Sequence, residues 1–577
     1  MSTCGMSRNC RGAGTEDRQW VAERRSPLLG EPAQVVTHAP VSIRMRDGVM
    51  LSATIYRPGG AEAQPGILIS CGYGADADAF FAETSTLLAR RGYVVLFAKL
   101  RGVAPSEGNA GLYERFGSDS YDLIEWLARL PECNGQVGMF GASLVGLVQY
   151  LAAKESPPSL KVLLPDDAGS DNYWYLWYPG GMNVGPGRAA RQSVSGAEKE
   201  YSSAIDHRNY DAFWRERTVQ PQDLEALARR GIPVFLTSGW DSYLLGSIKS
   251  YEWLKAGAPG SRLKMFIGPW GHGAFMSPQP PLLGPGVLPC SGFDYAVLWL
   301  DRWLKGIANG VDEEPPVLLY VQGPDEWRFE EDWPLSDEQR VRLYLRARPS
   351  GTGVAGINGT MSNLPPQNDA PVIFQYSPDG PYNVAAVTAV SRPKIDKTPY
   401  EQHGLVWTSA PLAVPTEMTG YPRITFWASL SSTDADFVVE VTDVGAHNES
   451  GLQSLQVTRG YLNAMRYFSR SDPQPLVPGR VYRFELELYP SSYVFAAGHR
   501  IRVTLQGAAF DPLMKSGSLA LPNIPGVDPN LLTLVIPQGP ALNSQTFKVS
   551  VLQDAGHPSF IDVPIIGAGT LRFLDGV

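Results

Sequence analysis

Short apolar runs recur along the first half of the chain, with helix-like stretches between them. Continuous apolar runs of this length are typical of strands that are buried on both faces of a sheet. The runs cover residues 66–70, 93–98, 137–140, 162–164, 233–238 and 263–268. Between two of them, Leu123, Ile124, Leu127 and Leu130 recur at the spacing of one helix face. Strands that alternate with helices predict a doubly wound, mostly parallel α/β sheet.

The pattern changes at both ends of this region and once inside it. Alternating apolar residues flank Asp47-Gly48, which predicts a β-hairpin at the start of the fold. An aromatic and Gly-rich stretch interrupts the rhythm after Gly169, and the runs after Arg340 are β-rich and separated by Gly and Pro turns. The β-rich runs after Arg340 predict a β-sandwich or jelly roll. We predict a disordered extension (1–35), the first part of the α/β domain (36–168), an insertion (169–224), the second part of the α/β domain (225–339) and a β domain (340–577).

Composition excludes several other classes of protein. The 59 Gly and 48 Pro among 577 residues are too many for a coiled coil or a long helical array. The net charge of -9 disfavours a nucleic acid as the partner, and no apolar run reaches the roughly 18 residues that span a bilayer. Five cysteines, an odd and sparse set, predict reduced thiols and a cytoplasmic location.

The stretch Val137–Gly146 joins a predicted strand to a predicted helix through Gly141-Ala142-Ser143. Such a turn, with glycine two residues before serine, is typical of the nucleophile elbow of serine hydrolases. The usual pentapeptide has a second glycine two residues after the serine, whereas this chain has Val145 there and Gly146 one position later. The stretch alone therefore leaves two interpretations of Ser143 open, a nucleophile or a small residue at a tight turn.

A serine nucleophile needs a general base and an acid that orients this base. Asp241 and His272 each follow the end of a predicted strand, which is where α/β sites assemble. The chain order Ser143, Asp241, His272 is the order of α/β-hydrolase triads. We predict these three residues as the catalytic triad, with a purely structural histidine as the alternative for His272. His499, in the β-rich region, is predicted to be structural.

Acyl transfer also needs donors for a tetrahedral oxyanion. We predict the backbone N–H of Leu144, directly after the nucleophile, and the hydroxyl of Tyr73, in the loop after the run at 66–70. Packing of the Tyr73 ring against a helix start is the alternative. Asp166 and Asp167 follow another strand end, but two adjacent carboxylates without histidine neighbours are weak evidence for a metal site. We predict no metal and no cofactor.

Motifs in a joint order along the chain resemble the cocaine-esterase and X-Pro dipeptidyl-peptidase-like serine hydrolases, over about residues 41–511. The resemblance implies an α/β-hydrolase core with an inserted helical cap at 169–224, followed by an all-β jelly roll. It also implies Ser143 as nucleophile, His272 as base, Asp241 as orienter and Tyr73 in the oxyanion loop. The motifs are Arg46–Leu51, Arg101-Gly102 with Ser106–Gly108, Gly138–Ser143, Gly239–Asp241, Gly268–His272, Asp301–Gly306, Gly323–Arg328 with Asp332–Pro334, and Ala497–Arg500.

The chain departs from this family at positions near the predicted site. Family members often have tyrosine directly after the nucleophile and aspartate two residues before the Arg-Gly, where this chain has Leu144 and Lys99. In the amino-ester hydrolase branch, carboxylates two and three residues after the triad aspartate bind the substrate ammonium. This chain has Tyr243 and Leu244 there, so we predict a neutral, apolar or aromatic acyl group.

Five of the seven residues from Asn172 to Tyr178 are aromatic, and a wall of aromatic rings suits a bulky apolar ligand. Packing of the insertion against the β domain is the alternative for these rings. The predicted substrate contacts are Trp174, Trp177, Tyr178, Trp240 and Tyr243.

Together these features predict a serine hydrolase that cleaves an ester or amide of a small apolar or aromatic acyl group through an acyl-enzyme on Ser143. Its predicted partner is a small-molecule substrate, with no nucleic acid and no membrane, and homo-oligomer formation is left open. One alternative is an acyltransferase that uses the same acyl-enzyme. An X-Pro dipeptidyl-peptidase is disfavoured by Tyr243 and Leu244, and a non-catalytic binding protein is disfavoured by the triad.

Overall fold

The computed structural model contains two large β-sheets that follow one another along the chain. The strands of the first sheet come from the N-terminal part of the chain and those of the second from the C-terminal part. The predicted extension 1–35, Asp241, Tyr243 and the stretch 276–291 lie outside the described residues. The described residues are 36–60, 62–182, 204, 206–240, 242, 244–260, 262–272, 275, 292–352, 358–376, 396–398, 401, 404–448, 451–506, 546–567 and 571–574.

The first sheet has ten strands in the order β1-β2-β4-β3-β5-β6-β7-β8-β9-β10. The strands are β1 Val36–Arg44, β2 Met50–Pro58, β3 Gln64–Cys71, β4 Val94–Lys99, β5 Cys133–Ala142, β6 Leu160–Asp166, β7 Val234–Gly239, β8 Leu263–Gly268, β9 Val317–Val321 and β10 Glu326–Glu330. Neighbours from β4 through β9 are parallel, while β1, β2 and β10 pair antiparallel. The predicted hairpin and parallel strands are confirmed.

Helices cover both faces of this sheet. Successive residues of a strand enter opposite cores: Leu68 belongs to the core that contains residues of α2, α3, α5 and α6, and Ile67 belongs to the core that contains residues of α1 and α7. This alternation explains why the strands are apolar without a break. The helices are α1 Asp78–Arg90, α2 Phe116–Ala128, α3 Leu144–Lys154, α4 Ala212–Arg217, α5 Pro221–Arg229, α6 Leu244–Gly257 and α7 Gly292–Leu300, which continues as a π-helical turn Asp301–Lys305. The predicted doubly wound α/β fold is confirmed.

The insertion between β6 and β7 is built on aromatic packing. It contains a π-helical turn Tyr173–Trp177, a 3₁₀ turn Pro179–Gly181, and α4. A buried cluster joins Leu112 to rings of both ends of the insertion, including Tyr173 and Trp214, whose centroids lie 5.3 Å apart. These contacts link the described parts of the insertion on either side of residues 183–203.

The C-terminal part is mostly β, as predicted, and its described residues include a short helix, α8 Ala464–Phe468, where we expected none. Asn463 caps this helix by accepting a hydrogen bond from the N–H of Arg466, at 3.0 Å. The strands are β11 Glu338–Arg346, β12 Asn358–Ser362, β13 Val372–Tyr376, β14 Leu405–Thr408, β15 Thr416–Gly420, β16 Arg423–Leu430, β17 Asp436–Asn448, β18 Gly451–Asn463, β19 Val481–Glu487, β20 Ser491–Phe495, β21 Arg500–Gln506, β22 Phe547–Leu552 and β23 Phe560–Ile566. Their sheet has thirteen strands and its own apolar core.

The β part packs closely on the α/β part. Gly180 of the insertion lies very close to β18: a Cβ at this position would come within 1.7 Å of the Tyr461 carbonyl oxygen. Tyr421 donates a hydrogen bond to Glu252 of α6 at 2.6 Å, and Gln322 pairs with Ser492 through its backbone N–H at 3.0 Å. The region beside α6 is therefore enclosed by both parts of the chain. In the described part of the chain, no helix is long and apolar enough to cross a membrane.

Candidate active site

Ser143 occupies a strained turn between β5, which ends at Ala142, and α3, which begins at Leu144. Its backbone has φ 58° and ψ -123°, a conformation that serine rarely adopts. The turn is held on both sides, because Ser143 donates its N–H to the Asp166 carbonyl at 2.9 Å and its own carbonyl accepts the N–H of Leu147 at 2.8 Å. Strain of this kind persists only where the surrounding structure imposes it, and it is typical of a nucleophile elbow.

The two glycines of the elbow are required by close contacts. Gly141 has φ 146°, and a Cβ there would lie 2.3 Å from Cγ1 of Val145. A Cβ at Gly146 would lie 2.7 Å from the Cβ of Ala168 and 3.0 Å from the carbonyl oxygen of Asp166. Gly146 thus allows α3 to approach the end of β6 closely. It stands one residue later than the second glycine of the usual pentapeptide.

Tyr73 and Leu144, the predicted oxyanion donors, are in contact. The Leu144 N–H donates to the Tyr73 hydroxyl at 3.0 Å, and this hydroxyl also hydrogen-bonds with Ser143. Burial raises the pKa of Tyr73, although its hydrogen bonds to Ser143 and Leu144 oppose this, so the phenol stays protonated and able to donate. The Leu144 N–H and the Tyr73 hydroxyl therefore both lie beside the Ser143 hydroxyl, and an oxyanion that forms there would replace the Tyr73 oxygen as the acceptor of the Leu144 N–H.

Lys99, one of the positions that depart from the family pattern, holds the Tyr73 loop. Its ammonium is buried and donates to the carbonyls of Tyr73 at 2.9 Å and Gly74 at 3.1 Å. It also forms an ion pair with Asp78, at the start of α1. These contacts tie the loop after β3 to the end of β4, and the sequence did not predict this role.

His272 lies four residues after β8, with 27% of its side chain exposed. Its Nδ1 lies 3.1 Å from the Ser242 hydroxyl and 3.7 Å from Oδ2 of Asp167. Burial lowers the pKa of His272 below its ordinary value, and the charge of Asp167 opposes this. The imidazole is therefore neutral near pH 7, as a general base must be.

Asp167, which the sequence analysis considered only as a metal ligand, enters the site from the end of β6. Its side chain is fully buried, and Oδ1 accepts a hydrogen bond from the Ser238 hydroxyl at 2.6 Å. Its N–H donates to the Thr237 carbonyl at 2.8 Å, and its φ is 46°. The position of Asp167 directly after a buried strand, next to the nucleophile strand, was the available signal. The predicted role of Asp241 falls outside the described residues and stays a prediction.

The predicted pocket residues divide into two groups. Trp177 and Tyr178, 3% and 1% exposed, pack in an aromatic core within the insertion, which is neither the predicted pocket wall nor the alternative of packing against the β domain. Trp240 is also anchored, because its indole N–H donates to the Tyr320 carbonyl at 2.7 Å. Trp174 lines a cavity, and Tyr243 lies outside the described residues.

This cavity, of about 250 Å³, lies between the insertion, α6 and the β part of the chain. Five of the thirteen residues of its wall are aromatic. The ammonium of Lys249, which also lines the wall, pairs with Glu487 at 2.9 Å. Arg423 holds the same carboxylate at 2.9 Å. The wall is lined by Trp174, Tyr175, Pro179, Gly180, Leu245, Lys249, Tyr461, Leu462, Tyr467, Glu485, Leu486, Glu487 and Tyr489.

Comparison with known proteins agrees with this geometry. The family model of the X-Pro dipeptidyl-peptidase (S15 family) matches residues 47–203 and 186–274, and the model of the X-Pro dipeptidyl-peptidase C-terminal non-catalytic domain matches residues 309–516. The cocaine esterase of Rhodococcus sp. is 25% identical over 91% of this chain and 98% of its own length. The chain is a serine hydrolase of the X-Pro dipeptidyl-peptidase and cocaine-esterase family.

Solved structures share the fold of the hydrolase along nearly its whole length. An aminopeptidase from a Thaumarchaeota archaeon superposes with a TM-score of 0.74 at 23% identity, covering 92% of this chain and 97% of its own. An α-amino acid ester hydrolase superposes with a TM-score of 0.71 at 21% identity, covering 92% and 96%. The α/β-hydrolase core followed by a mostly β C-terminal domain is thus confirmed.

Removal of the Tyr73 hydroxyl should slow the hydrolase without unfolding it. We expect Tyr73→Phe to lower kcat for an aryl ester by about 10²- to 10³-fold, because one oxyanion donor is lost. Tyr482→Phe is the matched control, since its hydroxyl also accepts a backbone N–H, that of Val477 at 2.9 Å, but lies on β19. Steady-state kinetics and thermal melts of both variants are compared. Equal kcat in Tyr73→Phe and the control would contradict the assignment.

Loss of the Lys99 ammonium should displace the Tyr73 loop. We expect Lys99→Met to lower kcat by about 10- to 100-fold, because small shifts of a catalytic group cost this much. Lys255→Met is the matched control, since its ammonium likewise joins an aspartate, Asp332 at 2.6 Å, to a backbone carbonyl, that of Trp333 at 2.9 Å. A thermal melt reports the loss of stability of each variant, and a kcat loss confined to Lys99→Met supports the positioning role.

Proposed function

We propose that the hydrolase cleaves esters or amides of small, neutral, apolar or aromatic acyl groups through an acyl-enzyme on Ser143. The observation that carries this proposal is the contact of the Leu144 N–H with the Tyr73 hydroxyl at 3.0 Å, beside a serine in a strained elbow. Two donors that meet next to a nucleophile suit the tetrahedral intermediate of acyl transfer, in which a carbonyl oxygen becomes negatively charged.

The proposed reaction begins when Nε2 of neutral His272 takes the proton of the Ser143 hydroxyl as its oxygen attacks the carbonyl carbon. The carbonyl oxygen becomes an oxyanion that accepts hydrogen bonds from Leu144 and Tyr73. The imidazolium then protonates the leaving alcohol or amine as its bond to carbon breaks. Water repeats the sequence on the acyl-enzyme: it loses a proton to His272, releases the acid and restores the Ser143 hydroxyl.

A neutral acyl group is supported by the chemistry around α6. Tyr243 and Leu244 stand where related amino-ester hydrolases have carboxylates. In the cavity beside α6, the Glu487 carboxylate is already paired with Lys249 and Arg423, each at 2.9 Å. The other carboxylate of the cavity wall, that of Glu485, pairs with Arg483, so a substrate ammonium would have to compete with these partners, and burial of an unpaired charge is costly. Apolar acyl groups avoid this cost.

The proposed partner is a small-molecule ester or amide. A cytoplasmic location is supported by the odd number of cysteines and by Cys71 and Cys133, which are buried free thiols. Homo-oligomer formation is carried over from the family resemblance alone and is tested by the mass of the purified protein in solution.

The substrate proposal is tested with two p-nitrophenyl esters that differ only by an ammonium group, a phenylacetyl ester and a phenylglycyl ester. We expect a kcat/KM at least about 10-fold higher for the phenylacetyl ester, because an unpaired charge must otherwise be desolvated. A preference for the phenylglycyl ester would contradict the neutral-acyl proposal.

The two alternative functions are tested with other substrates. Gly-Pro-p-nitroanilide is assayed beside the two esters, and its cleavage in preference to both esters would favour an X-Pro dipeptidyl-peptidase. Product analysis with an added alcohol separates hydrolysis from acyl transfer.

A further inference from the structure

We propose that the cavity between the insertion, α6 and the β part of the chain is a second ligand site, which takes a neutral aromatic molecule with ether or carbonyl oxygens. The groups that act on the substrate carbonyl in the proposed reaction are absent from the described wall of this cavity; they are Ser143, Leu144, Tyr73 and His272. The inference goes beyond the proposed function, because it concerns a ligand other than the acyl group that Ser143 receives.

The size of the cavity suits one aromatic ring with short substituents. A cavity of roughly 150 Å³ is enough to bind benzene, so the volume of about 250 Å³ here accommodates about ten non-hydrogen atoms. Ring contacts already hold the wall in place. The ring centroids of Tyr175 and Trp253 of α6 lie 6.0 Å apart, and those of Tyr461 and Tyr489 lie 5.9 Å apart, edge to face. Ligand sites are usually preformed in this way.

Three aromatic side chains of the wall carry hydrogen-bond donors for which the described part of the chain supplies no acceptor. They are the indole N–H of Trp174 and the hydroxyls of Tyr175 and Tyr489. Burial raises the pKa of Tyr175, and it raises the pKa of Tyr489 to about 12. Both phenols therefore keep their protons at neutral pH and can donate to a ligand oxygen.

The charged groups of the wall are paired with one another or with their neighbours. The ammonium of Lys249 lies 2.9 Å from the carboxylate of Glu487 and 3.1 Å from that of Glu252. The carboxylate of Glu485 pairs with Arg483. A charged ligand would have to separate one of these pairs, and a partly buried charge that loses its partner is costly. The ligand that fits the wall is therefore neutral.

The cavity lies where three segments of the chain meet. Trp174 and Tyr175 belong to the π-helical turn of the insertion, Lys249 belongs to α6, and Tyr489 follows the end of β19. A molecule bound between these segments makes its contacts in the folded protein only, and such a ligand stabilises the folded state against unfolding. We therefore expect the melting temperature to rise with the concentration of a ligand of this class.

The probe for this site is 1,4-dimethoxybenzene, which has a suitable size, no charge, two ether oxygens and no bond that a serine hydrolase cleaves. We expect saturable binding to the full-length protein in a ligand-observed NMR titration, together with a rise in the melting temperature. 1,4-Diethylbenzene is the control ligand, since methylene groups replace its two oxygens and keep its shape. Absence of saturable binding of 1,4-dimethoxybenzene up to its solubility limit would overturn the proposal.

Two variants test the donors of the wall. Tyr175→Phe and Tyr489→Phe each remove one hydroxyl and keep the ring. We expect each to weaken the binding of 1,4-dimethoxybenzene about 5-fold, because one hydrogen bond is lost, and to leave the binding of 1,4-diethylbenzene unchanged.

Tyr482→Phe is the matched control for these two variants. Its hydroxyl lies on β19, outside the described wall of the cavity, and accepts the Val477 N–H at 2.9 Å. We expect it to bind both ligands as the unmodified protein does. Equal weakening of both ligands in Tyr175→Phe and Tyr489→Phe, or no weakening in either variant, would overturn the proposal.

Two further measurements separate this site from the one at Ser143. Protein labelled at Ser143 with a fluorophosphonate should bind 1,4-dimethoxybenzene with an unchanged Kd, and the probe should leave the KM for the phenylacetyl ester unchanged. Loss of binding after labelling, or a KM that rises with probe concentration, would place the probe in the catalytic site and overturn the proposal. If Ser143 takes no label, the proposed function fails, and the titrations of Tyr175→Phe and Tyr489→Phe still decide this inference.

Discussion

Ser143→Ala should lower the kcat of ester hydrolysis by about 10⁴-fold or more, the scale of loss when the nucleophile of a serine hydrolase is removed. The oxygen that forms the acyl-enzyme is absent in this variant, whereas the Leu144 N–H and the Tyr73 hydroxyl, 3.0 Å apart, remain in place. The residual activity should therefore reflect the oxyanion donors and substrate binding alone.

Folding should not obscure this result. Alanine has the same Cβ as serine, so the strain of φ 58° is not increased, and the backbone hydrogen bonds of residue 143 to Asp166 and Leu147 are unaffected. A fluorophosphonate probe measures the change directly: it should label the unmodified protein at Ser143 and leave the variant unlabelled. Labelling of both proteins, or unchanged ester hydrolysis in Ser143→Ala, would contradict the nucleophile assignment.

His272→Ala should lower kcat by a similar factor, about 10⁴-fold or more, because a serine hydroxyl is a poor nucleophile without a base. Fluorophosphonate labelling should slow as well, since the same proton must be removed from Ser143. In the unmodified protein, the pKa of His272 is lowered, so the imidazole should stay neutral at pH values where an ordinary histidine is already protonated. We therefore expect kcat/KM to persist to a pH below about 6.5.

The matched control for this variant is His499→Ala. His499 also contacts a buried aspartate, Asp443, with Nδ1 at 3.0 Å, and 26% of its side chain is exposed, close to the value for His272. We expect this variant to retain full kcat and the unmodified rate of labelling. Equal activity losses in the two histidine variants would point to a general effect on folding and would argue against His272 as the base.

Much of the site was accessible from local sequence patterns. The elbow at Ser143 was visible because a strand, a glycine and a helix must follow one another along the chain there, and Tyr73 was predicted from its position after β3, the parallel neighbour of β5. His272 and Asp241 were likewise selected because side chains at the carboxyl ends of parallel strands meet at one edge of the sheet. Such reasoning depends on neighbours in sequence and on one rule of sheet geometry.

Other assignments depended on which side chains meet in space. Trp177 and Tyr178 have the composition of a pocket wall, but they are buried against Tyr173 and Trp214, and aromatic content cannot distinguish a cavity from a core. Lys99 differs from the residue common in related proteins, and only its contacts with the Tyr73 and Gly74 carbonyls reveal a positioning role.

The sequence by itself determined the order of strands and helices and the two-part architecture, and it was enough to predict a nucleophile and a base, because hydrophobic periodicity and turn residues act over short distances along the chain. Only the tertiary structure showed that the Asp167 carboxylate lies near His272. Asp167 is 105 residues from His272 along the chain, and its Oδ2 lies 3.7 Å from Nδ1 of the imidazole although β7 stands between β6 and β8 in the sheet. No local pattern encodes such a contact, since the packing of distant segments creates it.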